Sequence, residues 1–323
     1  MALVGAAVGA ALALVAWLIP WLPEPASEQA AAFDNTYWFV TIVSVLVFAV
    51  VAGVSVYAVW KFRAAPDDLD DGSPIHGHTG LEIVWTAIPA VLVTAISVYS
   101  GIVLYDIERL PDDHRVVQVS SQQFAWTFTY PDEKVTSGEL VLPLNEPTEL
   151  VLTSKDVIHS FWVPEWRVKK DAVKGIETKI SVTPNKSGTY TVICTELCGL
   201  GHALMRARAR VVSQTEFDRW IAEEKRAAAM GGQAQGKQLF TSLGCGSCHT
   251  LADAGTTAEV GPNLDEVLPG KDAAFVSQSI IDPDAMIAQG FQPGVMPKIY
   301  DEQLSDAQLE GLVEYLLEAA GKG

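Results

Sequence analysis

The sequence predicts a multidomain membrane protein: a two-helix transmembrane hairpin, then an all-β sandwich, then an all-α domain. Three observations in the 323 residues carry this reading. Residues 35–60 and 83–105 contain no charged side chain, and much of 114–212 alternates apolar and polar positions. Segments 234–243 and 305–320 instead repeat apolar positions at helical spacing, with Leu309, Leu312, Val313, Leu316 and Leu317 on one face. Bulk composition agrees. Mean hydropathy is +0.21 although the formal charge is −17 and only 19% of residues are charged, so apolar and acidic residues are segregated along the chain. A largely disordered chain is excluded. A nucleic-acid partner is excluded too, because phosphate contacts need clustered Lys and Arg.

Each uncharged run exceeds the ~20 apolar residues that a helix needs to cross a bilayer. Trp38 and Trp60 flank the first run and Trp85 opens the second, as interfacial anchors do. Lys61 and Arg63 follow the first span, whereas Asp106, Glu108, Asp112 and Asp113 follow the second. The positive-inside rule therefore puts the 61–82 loop in the cytoplasm and everything after residue 106 outside. Residues 31–112 form the hairpin. Residues 1–30 read as a signal sequence cleaved near Ala30–Ala32 or as a further apolar segment; a basic start and a lipobox cysteine are both missing.

The sandwich is expected over residues 113–217. Phe124, Trp126, Phe128 and Tyr130 alternate with polar or small residues, as do Ile176, Thr178, Ile180 and Val182. Met205, Ala207, Ala209 and Val211 alternate with Arg206, Arg208 and Arg210, whose arginines read as the wet face of a strand. Pro131-Asp132, Asn145-Glu146-Pro147 and Pro184-Asn185 supply turns. Residues 214–230 look helical, and Met230 through Gly236 reads as a flexible joint leading, within 218–323, to the last domain.

The four cysteines form two tight pairs, Cys194/Cys198 and Cys245/Cys248, a pattern of metal or cofactor attachment rather than of disulfide staples. The first pair lies in C-T-E-L-C-G-L-G-H-A-L-M with His202 and Met205, and His159 lies upstream in D-V-I-H-S-F-W-V-P. Thiolates, imidazoles and a thioether together select copper. A blue-copper site needs a single cysteine; the second, four residues on, lets two thiolates bridge two copper ions. A structural zinc site on Cys194, Cys198, His202 and His159 is the alternative, and it leaves Met205 without a role.

The second pair belongs to Cys245-Gly246-Ser247-Cys248-His249, in which two thiols can bind the vinyl groups of haem and the histidine its iron. Met296, followed by Pro297 and 47 residues beyond His249, is the candidate sixth ligand. Met286 is the runner-up, and Met230 is assigned to the joint. A redox disulfide would leave His249 and Met296 unexplained. Ordinary solvated roles suit His76, His78 and His114. Trp126, Phe128 and Tyr130 suit core packing, although an aromatic ladder near copper could also assist electron tunnelling.

Over residues 36–220 the two copper-site strings and the hairpin motif H-G-H-T-G-L-E-I-V-W-T-A-I-P resemble cytochrome c oxidase subunit II. Residues 231–320 resemble a class I cytochrome c domain, with Gly236, Phe240 and Gly261-Pro262-Asn263-Leu264 in support. The combination resembles the bacterial caa-type oxidases. It implies a cupredoxin-like sandwich holding binuclear copper A on His159, Cys194, Cys198, His202, Met205 and the backbone carbonyl of Glu196. The Glu196 carboxylate is implied to reach a magnesium ion shared with subunit I, and Glu82 to stand at the mouth of a proton channel in that subunit. Cys245, Cys248, His249 and Met296 would hold one covalent haem c.

The implied partners are subunit I with its haem a, subunit III, membrane lipid, and a donor that is cytochrome c or an upstream respiratory complex. The implied setting is the bacterial plasma membrane, crossed more than once, with both cofactor domains on its outer side. Electrons would pass from donor to haem c, to copper, to haem a, for oxygen reduction coupled to proton translocation. A copper A subunit of a nitric-oxide reductase and a free-standing tethered carrier are the alternatives. Two departures stand out. Phe124 replaces the first tryptophan of the family's Q-W-x-W, the usual landing point for electrons from soluble cytochrome c, while Trp126 keeps the second. Lys174 precedes Gly175 where the family has proline. Residues 231–323 carry 4 Lys and Arg against 13 Asp and Glu, a charge of −9, which suits a basic donor.

Overall fold

Both uncharged runs extend into longer helices, α1 (Glu28–Lys61) and α2 (Thr79–Glu108), in a computed structural model that describes residues 18–63, 74, 76–230 and 232–320. Most of the leader segment (1–17), part of the 61–82 loop (64–73 and 75) and Gly231 of the joint lie outside the described residues. Apolar side chains stand outward all round both helices, and no residue of α2 is buried. Exposed apolar area costs about 25 cal/mol per Å² in water, so these surfaces belong against lipid or protein. His78 caps α2: its Nδ1 accepts from the Leu81 N–H, and Glu82 Oε1 accepts from the His78 N–H at 3.0 Å. The helix N-terminus thus fixes Glu82 at the end of the span.

Residues 115–212 form the expected sandwich of two five-stranded sheets. Its strands are β1 (Arg115–Gln122), β2 (Ala125–Tyr130), β3 (Val135–Ser137), β4 (Leu140–Pro143), β5 (Thr148–Ser154), β6 (His159–Val163), β7 (Val168–Ala172), β8 (Thr178–Val182), β9 (Gly188–Cys194) and β10 (Arg206–Val212). The sheet orders are β3-β2-β1-β5-β8 and β4-β10-β9-β6-β7. The inward residues of the alternating strands, Trp126, Phe128, Tyr130, Ala209 and Val211 among them, fill the space between. Buried Tyr130 both donates to the Val141 carbonyl and accepts from its N–H. All three expected turns separate strands, and Asn145 takes a positive φ of 61°, which asparagine tolerates well. Three details differ from expectation, the first being that Met205 precedes β10, which starts at Arg206. Phe124 precedes β2 rather than belonging to it, and Ile176 is exposed, because the strand starts at Thr178.

A segment ahead of α1 is woven into the sandwich. The Ala26 N–H donates to the Glu165 carbonyl, the Ser27 hydroxyl to the Trp166 carbonyl, and Ser27 bridges to Pro184; Ala26 and Ser27 are buried, as is Ala30 in the first turn of α1. The expected cleavage point at Ala30–Ala32 falls in the first turn of α1.

The last domain corrects the expected joint. Helix α3 (Gln214–Met230) is followed after one residue by α4 (Gly232–Ser242), so the glycine-rich run is mostly helix. Gly236 sits where α4 crosses α8 (Asp306–Ala319): a Cβ there would stand 2.2 Å from the Gly311 carbonyl oxygen. The glycine marks a close helix crossing, not flexibility. Between them run β11 (Thr250–Leu251), β12 (Thr256–Thr257), α5 (Leu264–Val267), α6 (Ala273–Ile281) and α7 (Tyr300–Gln303). The domain is helical apart from that two-residue ladder, and Phe240, Leu251, Val276, Leu312 and Leu316 build its core.

Candidate metal and cofactor sites

Neighbouring strands bring the first donor set together. β6 and β9 pair with Phe161 opposite Cys194, so His159, two residues away, reaches the same end of the sheet. The Cys194 N–H donates to the Met205 carbonyl and the Thr195 N–H to Ser160, pinning both ends of the 195–204 loop. Inside it, Cys194 Sγ lies 3.8 Å from His159 Nδ1, 3.9 Å from Cys198 Sγ and 3.3 Å from the Glu196 carbonyl oxygen. Cys198 Sγ lies 3.6 Å from His202 Nδ1 and 3.8 Å from Met205 Sδ. His159 and Met205 are wholly buried, and the cysteines are reduced. The loop thus turns the Glu196 carbonyl inward and leaves its side chain exposed.

The two thiols lie within contact of each other. A hydrogen bond between them lowers Cys194, opposed by burial, and pushes Cys198 well above the ordinary thiol range. A cation between the two sulfurs would favour the thiolate form of both. Soft donors converging at 3.6–3.9 Å fit copper. Buried Met205 has its sulfur turned to Cys198 among these donors, a placement a four-ligand zinc site would not use.

Asp156 joins the site although ligand spacing does not reveal it. Its Oδ1 lies 2.8 Å from His159 Nε2, so that nitrogen donates outward and Nδ1 presents its lone pair to the site. The carboxylate is itself held by the N–H groups of Gln123 and Val157, each at 2.7 Å. Burial alone would raise Asp156 and lower His159. Their mutual hydrogen bond, with further contacts, reverses both directions. The signal was present in D-V-I-H, three residues ahead of the histidine. Asp156→Asn is expected to weaken metal binding about 10–100-fold, the usual cost of losing such a partner, with the fold retained. Competition against a calibrated chelator measures this, and unchanged affinity would dismiss the role.

Trp126 stands edge-on to His159, with ring centroids 6.2 Å apart, and also packs on Phe161. The arginine row is partly tied down: Arg210 and Arg208 pair with Glu139 at 3.0 and 3.6 Å. His114 contacts the Pro111 carbonyl.

The second set lines a cavity of about 590 Å³ in the last domain, a size typical of cofactor pockets. Cys245, Cys248 and His249 form one part of its wall; Met296, Met286, Tyr300, Leu312 and Leu316 are also on it. His249 Nδ1 meets the Pro262 carbonyl oxygen at 2.9 Å, which leaves Nε2 for a ligand. Burial lowers His249, keeping the ring neutral, and pushes Cys245 up to about 12. Gly261 closes over the imidazole, where a Cβ would meet the ring at 2.5 Å. An apolar chamber with two adjacent thiols, a neutral oriented histidine and a thioether on its walls fits a covalently held haem. Both methionine candidates reach the cavity.

Three family profiles match the chain in order. They are the cytochrome c oxidase subunit II transmembrane domain over residues 16–103, its periplasmic domain over 133–212, and cytochrome c over 233–320. Cytochrome c oxidase subunit 2 of Alkalihalophilus pseudofirmus is 32% identical over 318 residues, covering 91% of this chain and 89% of the relative. That of Thermostichus vulcanus is 33% identical over 252 residues, covering 62% and 77%. The crystal structure of the periplasmic domain of subunit II of cytochrome oxidase (CoxB) of Bradyrhizobium japonicum is 30% identical. It covers 36% of this chain and 98% of that one, with a TM-score of 0.35.

Proposed function

The chain belongs to the cytochrome c oxidase subunit II family, carries a C-terminal cytochrome c domain and is membrane-anchored; from this premise we propose which residues handle its electrons. As a subunit of a terminal oxidase it is the component through which electrons enter. His159, Cys194, Cys198, His202, Met205 and the Glu196 carbonyl would hold a copper pair. Cys245 and Cys248 would carry one covalent haem, with His249 and Met296 on its iron. Both groups supply one-electron chemistry when bound.

The protein's own contribution is rigidity and exclusion of water. Paired strand ends fix both ends of the copper loop, Asp156 orients His159, and Met205 is sealed from solvent. Donors that cannot relax keep the geometric cost of gaining or losing an electron small. In the last domain Pro262 and Gly261 hold His249 in one tautomer and one orientation.

Further assignments belong to the same reading. Electrons come from a basic donor to the acidic C-terminal domain, then to the sandwich, and leave toward haem a of subunit I. The Glu196 carboxylate contributes to a magnesium site at that junction, and Glu82 serves a proton channel there. Subunit III completes the complex, and both cofactor domains face the outer side of a bacterial plasma membrane.

The observation that carries the reading is the convergence of five side-chain donors and one carbonyl where the end of β6 meets the loop between β9 and β10. The purified native complex is expected to contain a copper pair and one covalent haem per chain, and to consume oxygen with a co-purifying multi-span subunit. Zinc, or a single copper with a blue-site spectrum, would overturn it.

A further inference from the structure

The two candidate sites share one side chain. Phe124 lines the C-terminal cavity with Gly244, Cys245 and Cys248. Its ring also lies over the Cys198 loop, where a Cβ on Gly201 would stand 2.5 Å from Phe124 Cδ2. Phe124 is only 8% exposed.

Around this ring the two domains approach more closely than side chains permit. A Cβ on Gly138, just after β3, would lie 2.6 Å from the Thr241 carbonyl oxygen, and one on Gly244 would lie 2.3 Å from Ala125 Cβ. Hydrogen bonds flank these contacts. The Thr127 hydroxyl donates to the Ser242 carbonyl at 3.1 Å, and Gln238 Nε2 donates to the Thr136 carbonyl at 3.0 Å and to Glu224 at 2.8 Å. The seam therefore has glycines on both faces and polar groups paired across it, the composition of a fitted interface rather than of a chance collision.

We infer that the C-terminal domain is docked on the sandwich as one body, with Phe124 as the wall common to both sites, and is not carried on a free tether. The docking follows from the contacts alone; its bearing on electron transfer rests on the cofactor reading above. Two consequences follow. Phe124 is closed to a partner from solution, so a donor must use the C-terminal domain. The effective concentration of one site at the other is set by the seam instead of by a swinging linker.

A photo-cross-linking residue at exposed Thr136, on the same sheet face as Thr127, tests this in the intact membrane protein. The expected product joins position 136 to a peptide from 232–242. Gly138→Val, which leaves no room for Thr241, should reduce that product several-fold while copper and haem spectra stay unchanged. Thr127→Val, which deletes only the Ser242 contact, should reduce it in the same direction. Cross-links scattered over the C-terminal domain, or a yield that neither variant moves, would overturn the docking. Failure of the cofactor reading would show separately, as missing copper or haem in a protein that still gives the 136-to-α4 product.

Discussion

Cys198→Ser is expected to abolish copper binding while leaving the haem absorption intact. Cys198 Sγ faces three partners in the site: Cys194, His202 and Met205 lie 3.9, 3.6 and 3.8 Å away. Serine is nearly the same size, so the loop can keep its shape, but its oxygen is hard and neutral at pH 7 and cannot bridge two soft ions. The buried hydroxyl should also cost about 1–3 kcal/mol if it finds no partner. Metal analysis of the purified complex should fall from a copper pair to less than one ion per chain, with the haem content unchanged. A variant that retains full copper and its spectrum would remove Cys198 from the ligand set. Joint loss of copper and haem would mean that the substitution unfolds the chain.

The second large effect is structural and lies in the other domain. Gly236→Val should destabilise the C-terminal domain by about 1–3 kcal/mol or more, the usual penalty of overpacking. The added atoms would meet the Gly311 carbonyl oxygen at 2.2 Å and Tyr315 Cβ at 2.4 Å, and neither can retreat easily. Gly311 is backbone inside α8. Tyr315 is anchored by its hydroxyl on Asp253 at 2.9 Å and packs against Phe240. Calorimetry should show the transition that tracks the haem band moving down by roughly 4–8 °C per kcal/mol for a domain of this size. The copper-linked transition should stay in place. An unshifted haem-linked transition would show that α4 and α8 do not cross at Gly236.

Much of this architecture was legible because its signals are local. Two uncharged runs, a period of two, and two cysteine pairs with fixed companions each lie within a few turns or strands. The residues that escaped were those whose meaning depends on distant partners. Asp156 is a common loop acid until His159 folds back onto it, and Gly236 reads as a joint until Gly311, 75 positions later, lies across it. Ala26 and Ser27 look like the tail of a leader but are held by Glu165, Trp166 and Pro184. Phe124 was visible as a departure from the family pattern. Only the seam with the C-terminal domain says what it touches.

The strand pairing that clamps the copper loop also changes when its entropy is lost. Bringing two ends of a ten-residue loop together costs conformational freedom, and a metal that had to gather scattered ligands would spend part of its binding energy on that closure. Here β9 and β10 close the loop as they zip, from Gly188 paired with Val211 to Cys194 beside Met205. Folding bears the ordering cost, and the arriving ions meet a basket already woven. Metal capture then becomes a matter of delivery and redox state, in which two unbridged sulfurs 3.9 Å apart must stay reduced until they are filled.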